Sequence, residues 1–273
     1  MEAPENKRGD LRSIGVFDSG LGGLTVMQQL MCTLPYEPIV YFGDTARVPY
    51  GGKSPDTIVR YSIENSLFLI GKEVKVIVVA CNTATSHALD KLREFFDLPI
   101  LGVIDPGAER AVEITRNGTI AVLGTRGTIE SQAYQKAIAL RAPAARVIPI
   151  ACPLFVPFIE EGCVDHPAVR LVVQEYLRPV KESGADTLLL GCTHYPLLQK
   201  LIREEVGNHV AIVDSASCCA RKVSALIDTH GFASRTISPP LHRYYVSDDP
   251  QKFQALGSTF LGMRIPHVNC EFR

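Results

Sequence analysis

The sequence lacks the features that are typical of nucleic-acid-binding, membrane and secreted proteins. Its formal net charge is −1, so it has no basic excess with which to neutralise phosphates. No apolar run approaches the roughly 20 residues that span a bilayer, and the polar segment 1–10 is unlike a signal peptide. We therefore expect a soluble cytoplasmic protein without a nucleic-acid or membrane partner, in which residues 1–10 are disordered.

The cysteines lack the spacing of a disulfide framework or a metal site. The chain has 273 residues and eight cysteines, none of them in a C-x-x-C pair, and without a secretion signal we expect reduced thiols. Cys192 and His194 are only two ligands, whereas a zinc site needs three or four. We expect no metal, and most of the cysteines should be small buried hydrophobic residues.

Short apolar runs alternate along the chain with polar turns and stretches of helical character. Several runs consist of consecutive Val, Ile and Leu residues, as in strands that are buried on both faces. Alternating strands and helices predict an α/β fold with open, mainly parallel sheets, whose ligands bind at the carboxyl ends of the strands. The predicted strands are residues 14–17, 39–42, 76–80, 100–103, 119–123, 147–150, 187–191 and 211–213.

Helix signals lie between these runs. Ser54, followed by a proline and an aspartate, has the pattern of an N-cap with a favourable first turn. Farther along, the spacing of Ala84, Ala88, Leu92 and Phe95 predicts one apolar helix face.

An internal repeat indicates two related halves. Residues 13–20 resemble residues 119–126, and each segment is followed at some distance by a buried strand that ends in a cysteine. These cysteines are Cys81 and Cys192. We interpret the pattern as two α/β halves, each of which offers one thiol.

Both cysteines have polar neighbours that a purely structural cysteine does not need. Cys81 precedes Asn82, Thr83 and a predicted helix, whose N-terminus should favour a thiolate and bind a carboxylate. Cys192 is followed two residues later by His194, which could tune the thiol or act as an acid/base itself. The alternative for each is a buried structural cysteine at the end of a strand.

Three other loops offer polar groups at the same edge of the sheets. Asp18 begins a glycine-rich turn that matches neither a dinucleotide fingerprint nor a phosphate-binding loop; it could bind an ammonium group, orient a base or cap a helix. Tyr50 and Gly51 end a long polar turn that either contacts a ligand or is a mobile surface loop. Glu160 either pairs with His194 or is a solvated carboxylate.

Five segments, in order from about Ile14 to Asp214, resemble the glutamate racemases of the cofactor-independent aspartate/glutamate racemase superfamily. Each segment alone is a weak signal, but the order of the five along the chain is specific. The segments are residues 17–23, 41–44 with 49–51, 80–84, 153–157 with 160–162, and 191–196.

The resemblance implies that the chain interconverts L-glutamate and D-glutamate without a cofactor. Cys81 and Cys192 are then acid/base groups on opposite faces of the substrate, one a thiolate while the other is a thiol. Fixed dipoles in a dry site must stabilise the carbanion. Asp18, His194 and Glu160 are implied to assist catalysis. The implied binding residues are Asp18, Ser19, Tyr50, Gly51, Asn82, Thr83, Thr193 and His194.

The resemblance also implies two α/β domains with the active site in the cleft between them. The first domain comprises residues 11–104 and 215–273 and carries Asp18 and Cys81. The second, residues 105–214, is inserted into the first and carries Cys192 and His194. Members of the family supply D-glutamate for peptidoglycan synthesis, and many of them are homodimers, so we expect a homodimer here.

Three alternatives stay open on the sequence alone. The chain could racemise aspartate, a hydantoin or a related acid, because pocket size decides the substrate. It could also be a ligand-binding regulator on the same fold without turnover, although it retains both cysteines and His194. A thiol redox protein is disfavoured because no resolving cysteine lies near Cys81 or Cys192.

Overall fold

Two parallel β-sheets flanked by helices form the framework of the computed structural model, which describes residues 9–234 and 238–271. The predicted α/β class is confirmed. The strands of the described chain are β1 Ile14–Asp18, β2 Ile39–Gly43, β3 Val76–Val79, β4 Ile100–Gly102, β5 Thr119–Gly124, β6 Arg146–Ala151, β7 Thr187–Gly191, β8 Ala211–Asp214, β9 Arg243–Val246 and β10 Asn269–Cys270. The α-helices are α1 Leu24–Thr33, α2 Pro55–Ile70, α3 Asn82–Phe95, α4 Ile104–Ile114, α5 Arg126–Glu130, α6 Ala133–Arg141, α7 Phe155–Glu160, α8 Pro167–Ser183, α9 Gln199–Val206, α10 Ser215–His230 and α11 Pro250–Leu261.

The two sheets share a common strand order. The first runs β10-β9-β2-β1-β3-β4 and the second runs β6-β5-β7-β8. Strand β1 lies between β2 and β3 just as β5 lies between β6 and β7, so the repeated segments 13–20 and 119–126 contain the two equivalent strands. Cys81 and Cys192 therefore follow equivalent strands, β3 and β7.

The continuous apolar runs form the inner strands, which are buried on both faces. Every residue of β3 and of β7 is buried. All eight predicted strands are present, with ends that differ from the prediction by one residue at most. The sequence did not reveal β9 and β10, which are short; β9 pairs with β2, and β10 pairs with β9.

The helix signals were correct at the start of α2 and partly wrong in α3. Ser54 caps α2, its Oγ accepting a hydrogen bond from the N–H of Thr57 at 3.4 Å. The first three residues predicted on the apolar face of α3 are fully buried, but Phe95 is 64% exposed. Phe95 is the last residue of α3 and its side chain lies outside the core, whereas the neighbouring Phe96 packs against the core. Among the described residues, no helix combines the length and apolar character needed to cross a membrane.

The chain after Asp214 returns to the first sheet. Helix α10 packs on α1, β9 pairs with β2, and α11 also packs on α1. Of the segment that we expected to be disordered, residues 1–8 lie outside the described residues. Gly9 forms an antiparallel bridge with Ser234, which ties the start of the described chain to the segment after α10.

A buried ion pair closes the end of the first sheet that lies away from the cysteines. The side chain of Lys75 is fully buried and pairs with Glu37. Its Nζ also donates to the carbonyl oxygens of Asp10 at 2.9 Å and Phe232 at 2.7 Å, while Glu37 accepts from the N–H of Ser234 at 2.7 Å. The pair and its hydrogen bonds therefore join four separate segments of the chain, around residues 10, 37, 75 and 232–234.

We predict that Lys75→Met destabilises the protein by about 3–5 kcal/mol, because it leaves the Glu37 carboxylate buried without its counter-charge. Urea unfolding followed by far-UV circular dichroism measures the change. Lys91→Met is the matched control, since Lys91 forms an exposed ion pair with Glu94 on α3 and should change the midpoint little. Equal midpoints for the two variants would contradict the role given to Lys75.

Candidate active site

Residues that follow strands of both sheets line one narrow cavity. Its volume is about 20 Å³, room for about one water molecule, so it must widen before an amino acid can enter. Nine predicted site residues line it, and Val48, Pro49, Thr125 and Val156 complete the lining. The nine are Ser19, Tyr50, Gly51, Cys81, Asn82, Thr83, Cys192, Thr193 and His194.

Cys81 is held as a protonated thiol. It is the N-cap of α3, and its Sγ accepts a hydrogen bond from the N–H of Ala84 at 3.4 Å. Burial raises the pKa of the Cys81 thiol to about 12, and the charge of Asp18 acts in the same direction. The N–H of Ala84 at the start of α3 acts in the opposite direction and lowers the pKa of the thiol, as we expected of the helix N-terminus, but burial has the larger effect. Near neutral pH, Cys81 can therefore donate a proton.

Cys192 lies beside a histidine that is paired with an acid. Its Sγ is 3.8 Å from Nδ1 of His194, whose Nε2 is 3.0 Å from Oε1 of Glu160. Burial alone lowers the pKa of His194, but the hydrogen bonds to Cys192 and Glu160 outweigh it and raise the pKa to about 10. An imidazolium in this position places a buried positive charge beside the sulfur. The Glu160–His194 contact envisaged from the sequence is present.

Two polar atoms at the site lack a partner. Within residues 9–234 and 238–271, Asp18 Oδ1 and Asn82 Nδ2 are among the buried side-chain atoms without a hydrogen bond. Asp18 is fully buried, which raises its pKa, and it does not cap α1, whose N-cap is Gly23. Because unbonded buried polar groups are costly, the free donor of Asn82, which lines the cavity, favours a ligand with a hydrogen-bond acceptor. Asp18 and Glu160, the other two predicted site residues, do not line the cavity.

The polar turn after β2 is fixed by a buried network. Asp44 is fully buried and accepts hydrogen bonds from the Tyr50 hydroxyl, from Arg47 Nε at 2.9 Å and from Ser247 Oγ at 3.0 Å. The alternative of a mobile surface loop is therefore disfavoured. Since the Tyr50 hydroxyl already has a partner, a ligand would meet the rest of this residue and Gly51.

Contacts across the cavity join the two halves closely. The hydroxyl of Thr25 donates to the carbonyl of Thr193 at 2.9 Å. Gly22 packs against the same turn, and a Cβ there would lie 2.4 Å from Nδ1 of His194. Only glycine lets the loop after β1 approach the turn after β7 this closely.

A cluster of threonine hydroxyls was missed in the sequence. Thr83 Oγ1 lies 2.9 Å from Thr125 Oγ1 and 3.2 Å from Thr128 Oγ1. The internal repeat contained a signal for it, because Thr125 occupies the position in the second half that Ser19 occupies in the first. These hydroxyls add adaptable donors and acceptors to one wall of the cavity.

No cluster of His, Cys, Asp and Glu suited to hold a metal is present in the part of the chain that the structure describes. The polar groups of the site are thiols, hydroxyls, an imidazole, an amide and carboxylates. Acid/base chemistry on an organic acid needs such groups.

Comparison with known proteins identifies the family to which a chain with this site belongs. Residues 33–223 match the family model described as Asp/Glu/Hydantoin racemase. The chain belongs to this family. A curated glutamate racemase from Geobacter metallireducens is 48% identical over 94% of this chain and 95% of its own length. Membership of this family makes the chain an isomerase of the racemase type. It disfavours the alternative that the chain is a ligand-binding regulator without catalytic activity.

Solved structures of family members have the same architecture. Glutamate racemase isoform RacE1 from Bacillus anthracis superposes with a TM-score of 0.92 at 38% identity, covering 95% of this chain and 97% of that one. The glutamate racemase from Francisella tularensis in complex with D-glutamate gives a TM-score of 0.90 at 38% identity, covering 96% and 98%.

The raised pKa of His194 predicts a stability that depends on pH. A group whose pKa is higher in the folded state contributes stability below its unfolded pKa and loses it as the pH rises towards the folded value. For His194 this window runs from 6.5 to about 10. Wild type should therefore lose more unfolding free energy than His194→Gln between about pH 6.5 and about pH 8.5.

Urea unfolding at the two pH values measures this difference. His209→Gln is the matched control, because His209 is exposed and should leave the pH dependence unchanged. An identical pH dependence in wild type and His194→Gln would show that the pKa of His194 is not raised in the folded protein.

Proposed function

We propose that this chain racemises glutamate without a cofactor, with Cys81 and Cys192 as the two acid/base groups. One observation carries the proposal: two thiols, placed after equivalent strands of two related sheets, line the same narrow cavity. Racemisation removes a proton from one face of the α-carbon and returns a proton to the other. A pair of thiols presented from two halves supplies one group for each face.

In each direction of the proposed reaction, one thiol group acts as the base and the other as the acid. Cys192, with the His194 imidazolium beside it, takes the α-proton as a thiolate, and the electron pair of the C–H bond passes to the substrate carbon. Cys81 then gives its S–H proton to the opposite face of that carbon. The configuration is inverted and the thiols have exchanged roles, so the return reaction uses the same groups in reverse.

The unpartnered polar atoms provide a binding scheme for an amino acid. Asn82 Nδ2 donates to a carboxylate, and Asp18 Oδ1, which is not in the lining of the narrow cavity, accepts from the ammonium group once the cavity has widened. The hydroxyls of Thr83 and Thr193 and the Tyr50–Gly51 turn supply further contacts to the carboxylates. The hydroxyls of Thr83 and Thr193 also stabilise the charge that develops when the α-proton leaves, because they act in a site that excludes water.

Glutamate is favoured over aspartate by the relatives. Curated proteins at 46–48% identity over more than nine tenths of this chain are named glutamate racemases. One solved relative, from Francisella tularensis, carries D-glutamate in its structure. Racemisation of aspartate or another acidic amino acid is the second candidate, since it requires the same thiols and a smaller pocket.

The finer features that the family resemblance implies belong to the same proposal. We propose a first domain of residues 11–104 and 215–273, and a second, inserted domain of residues 105–214. The tail is consistent with this division, because β9 pairs with β2. We further propose that the protein is a cytoplasmic homodimer that supplies D-glutamate for peptidoglycan synthesis. Sedimentation velocity measures the oligomeric state, and a monomer would contradict the proposed homodimer.

Circular dichroism of the amino acid in solution tests the activity. We predict that signals from L-glutamate and from D-glutamate both decay to zero with purified protein and no added cofactor. Cys81→Ala and Cys192→Ala should each lower the rate by about 10²–10⁴-fold, because each removes one acid/base group. Cys32→Ala is the matched control, since Cys32 is an exposed cysteine of α1 and should leave the rate unchanged.

Each outcome has a defined meaning. If aspartate racemises and glutamate does not, the thiol mechanism survives and the proposed substrate is wrong. If Cys81→Ala or Cys192→Ala retains the full rate, the assignment of that thiol is wrong. If no acidic amino acid racemises, the proposed function fails as a whole.

A further inference from the structure

Tyr134 joins the two halves of the protein at the active site. It lies on α6, packs beside the second sheet and is 1% exposed. Its hydroxyl donates a hydrogen bond of 2.6 Å to Oδ1 of Asn82, the residue that follows Cys81. A tyrosine of one half thus bonds directly to a cavity residue of the other.

The ring of Tyr134 also contacts the strand that leads to Cys192. Gly191 is the residue just before Cys192, and a Cβ there would lie 2.8 Å from Cε2 of Tyr134. Real Cβ atoms essentially never approach this closely, so glycine leaves the space that the ring fills. One side chain therefore contacts the backbone before one thiol and the amide after the other.

The bond to Tyr134 determines which way the Asn82 amide faces. An amide has one acceptor and one donor end, and the hydroxyl of Tyr134 occupies the acceptor. The donor, Nδ2, is left without a hydrogen-bond partner among the described residues, and Asn82 lines the cavity. Without Tyr134 the amide could turn, presenting an oxygen that repels a carboxylate.

We propose that Tyr134 is a positioning residue that fixes the Asn82 amide with its N–H groups available to a carboxylate of the substrate. This inference rests on the proposed racemisation of an acidic amino acid. Because the hydroxyl comes from the second half, the orientation of Asn82 depends on the two halves being closed together. The contact of the ring with Gly191 fixes the position of the hydroxyl relative to β7, the strand that precedes Cys192.

Tyr134→Phe tests the proposal, because it keeps the ring against Gly191 and removes only the hydroxyl. We expect KM for glutamate to rise about tenfold, the effect of one well-placed hydrogen bond to a buried group. The contact holds the carboxylate before and during proton transfer, so kcat should change less than about threefold. Circular dichroism and thermal melting verify that the variant is folded.

A double-mutant cycle with Asn82→Ala separates positioning from a general structural role. If Tyr134 acts through Asn82, Tyr134→Phe should have no further effect on KM in the Asn82→Ala background. Tyr244→Phe is the matched control, because it removes a buried tyrosine hydroxyl on β9, outside the cavity, and should leave KM unchanged.

Two results would overturn the proposal. An unchanged KM in folded Tyr134→Phe would show that the hydroxyl does not position a binding group. Equal rises in KM with and without Asn82 would show that Tyr134 acts by another route. Either result can occur while wild type racemises glutamate, so it is distinguishable from failure of the proposed function, in which wild type itself is inactive.

Discussion

The burial of two thiols at one narrow cavity is the constraint on which the rest of the site depends. A buried sulfur resists ionisation, so any negative charge there needs a nearby compensating group. The two halves meet this need differently. Cys81 stays a thiol at the start of α3, whereas Cys192 lies beside His194, whose charge is supported by Glu160. The asymmetry gives the site one acid and one base without a metal or an organic cofactor in the proposed reaction.

The duplicated topology explains how two thiols reach one carbon atom. Each sheet places its cysteine after an equivalent strand, β3 beside β1 in the first sheet and β7 beside β5 in the second, and residues after both strands line the same cavity. Closure then depends on contacts between the halves, among them the bonds from Thr25 to Thr193 and from Tyr134 to Asn82. The cavity has room for only about one water molecule, so we expect these contacts to loosen when a substrate binds or leaves.

Local sequence patterns were sufficient for most of the fold and for the side chains that follow strands. Buried strands are continuous apolar runs, and the residues after them lie at the ligand-binding edge wherever the sheet is parallel. The sequence could not reveal features set by distant contacts. Strand β9 depends on pairing with β2, Phe95 extends beyond a core whose edge the helix period does not show, and Tyr134 is far from Asn82 in sequence. The burial that raises the pKa of the Cys81 thiol is likewise a property of the whole fold, whereas the helix N-terminus that opposes it is a local signal.

The most direct test of the two-thiol account is racemisation of L-glutamate in D₂O, followed at early times by proton NMR of the α-position. The account predicts that D-glutamate carries deuterium at its α-carbon from the first turnovers, because the thiol that donates is not the thiolate that abstracts. Unreacted L-glutamate should still carry its original proton. Product that retains the substrate proton would indicate a single base serving both faces, and would contradict the separate roles of Cys81 and Cys192.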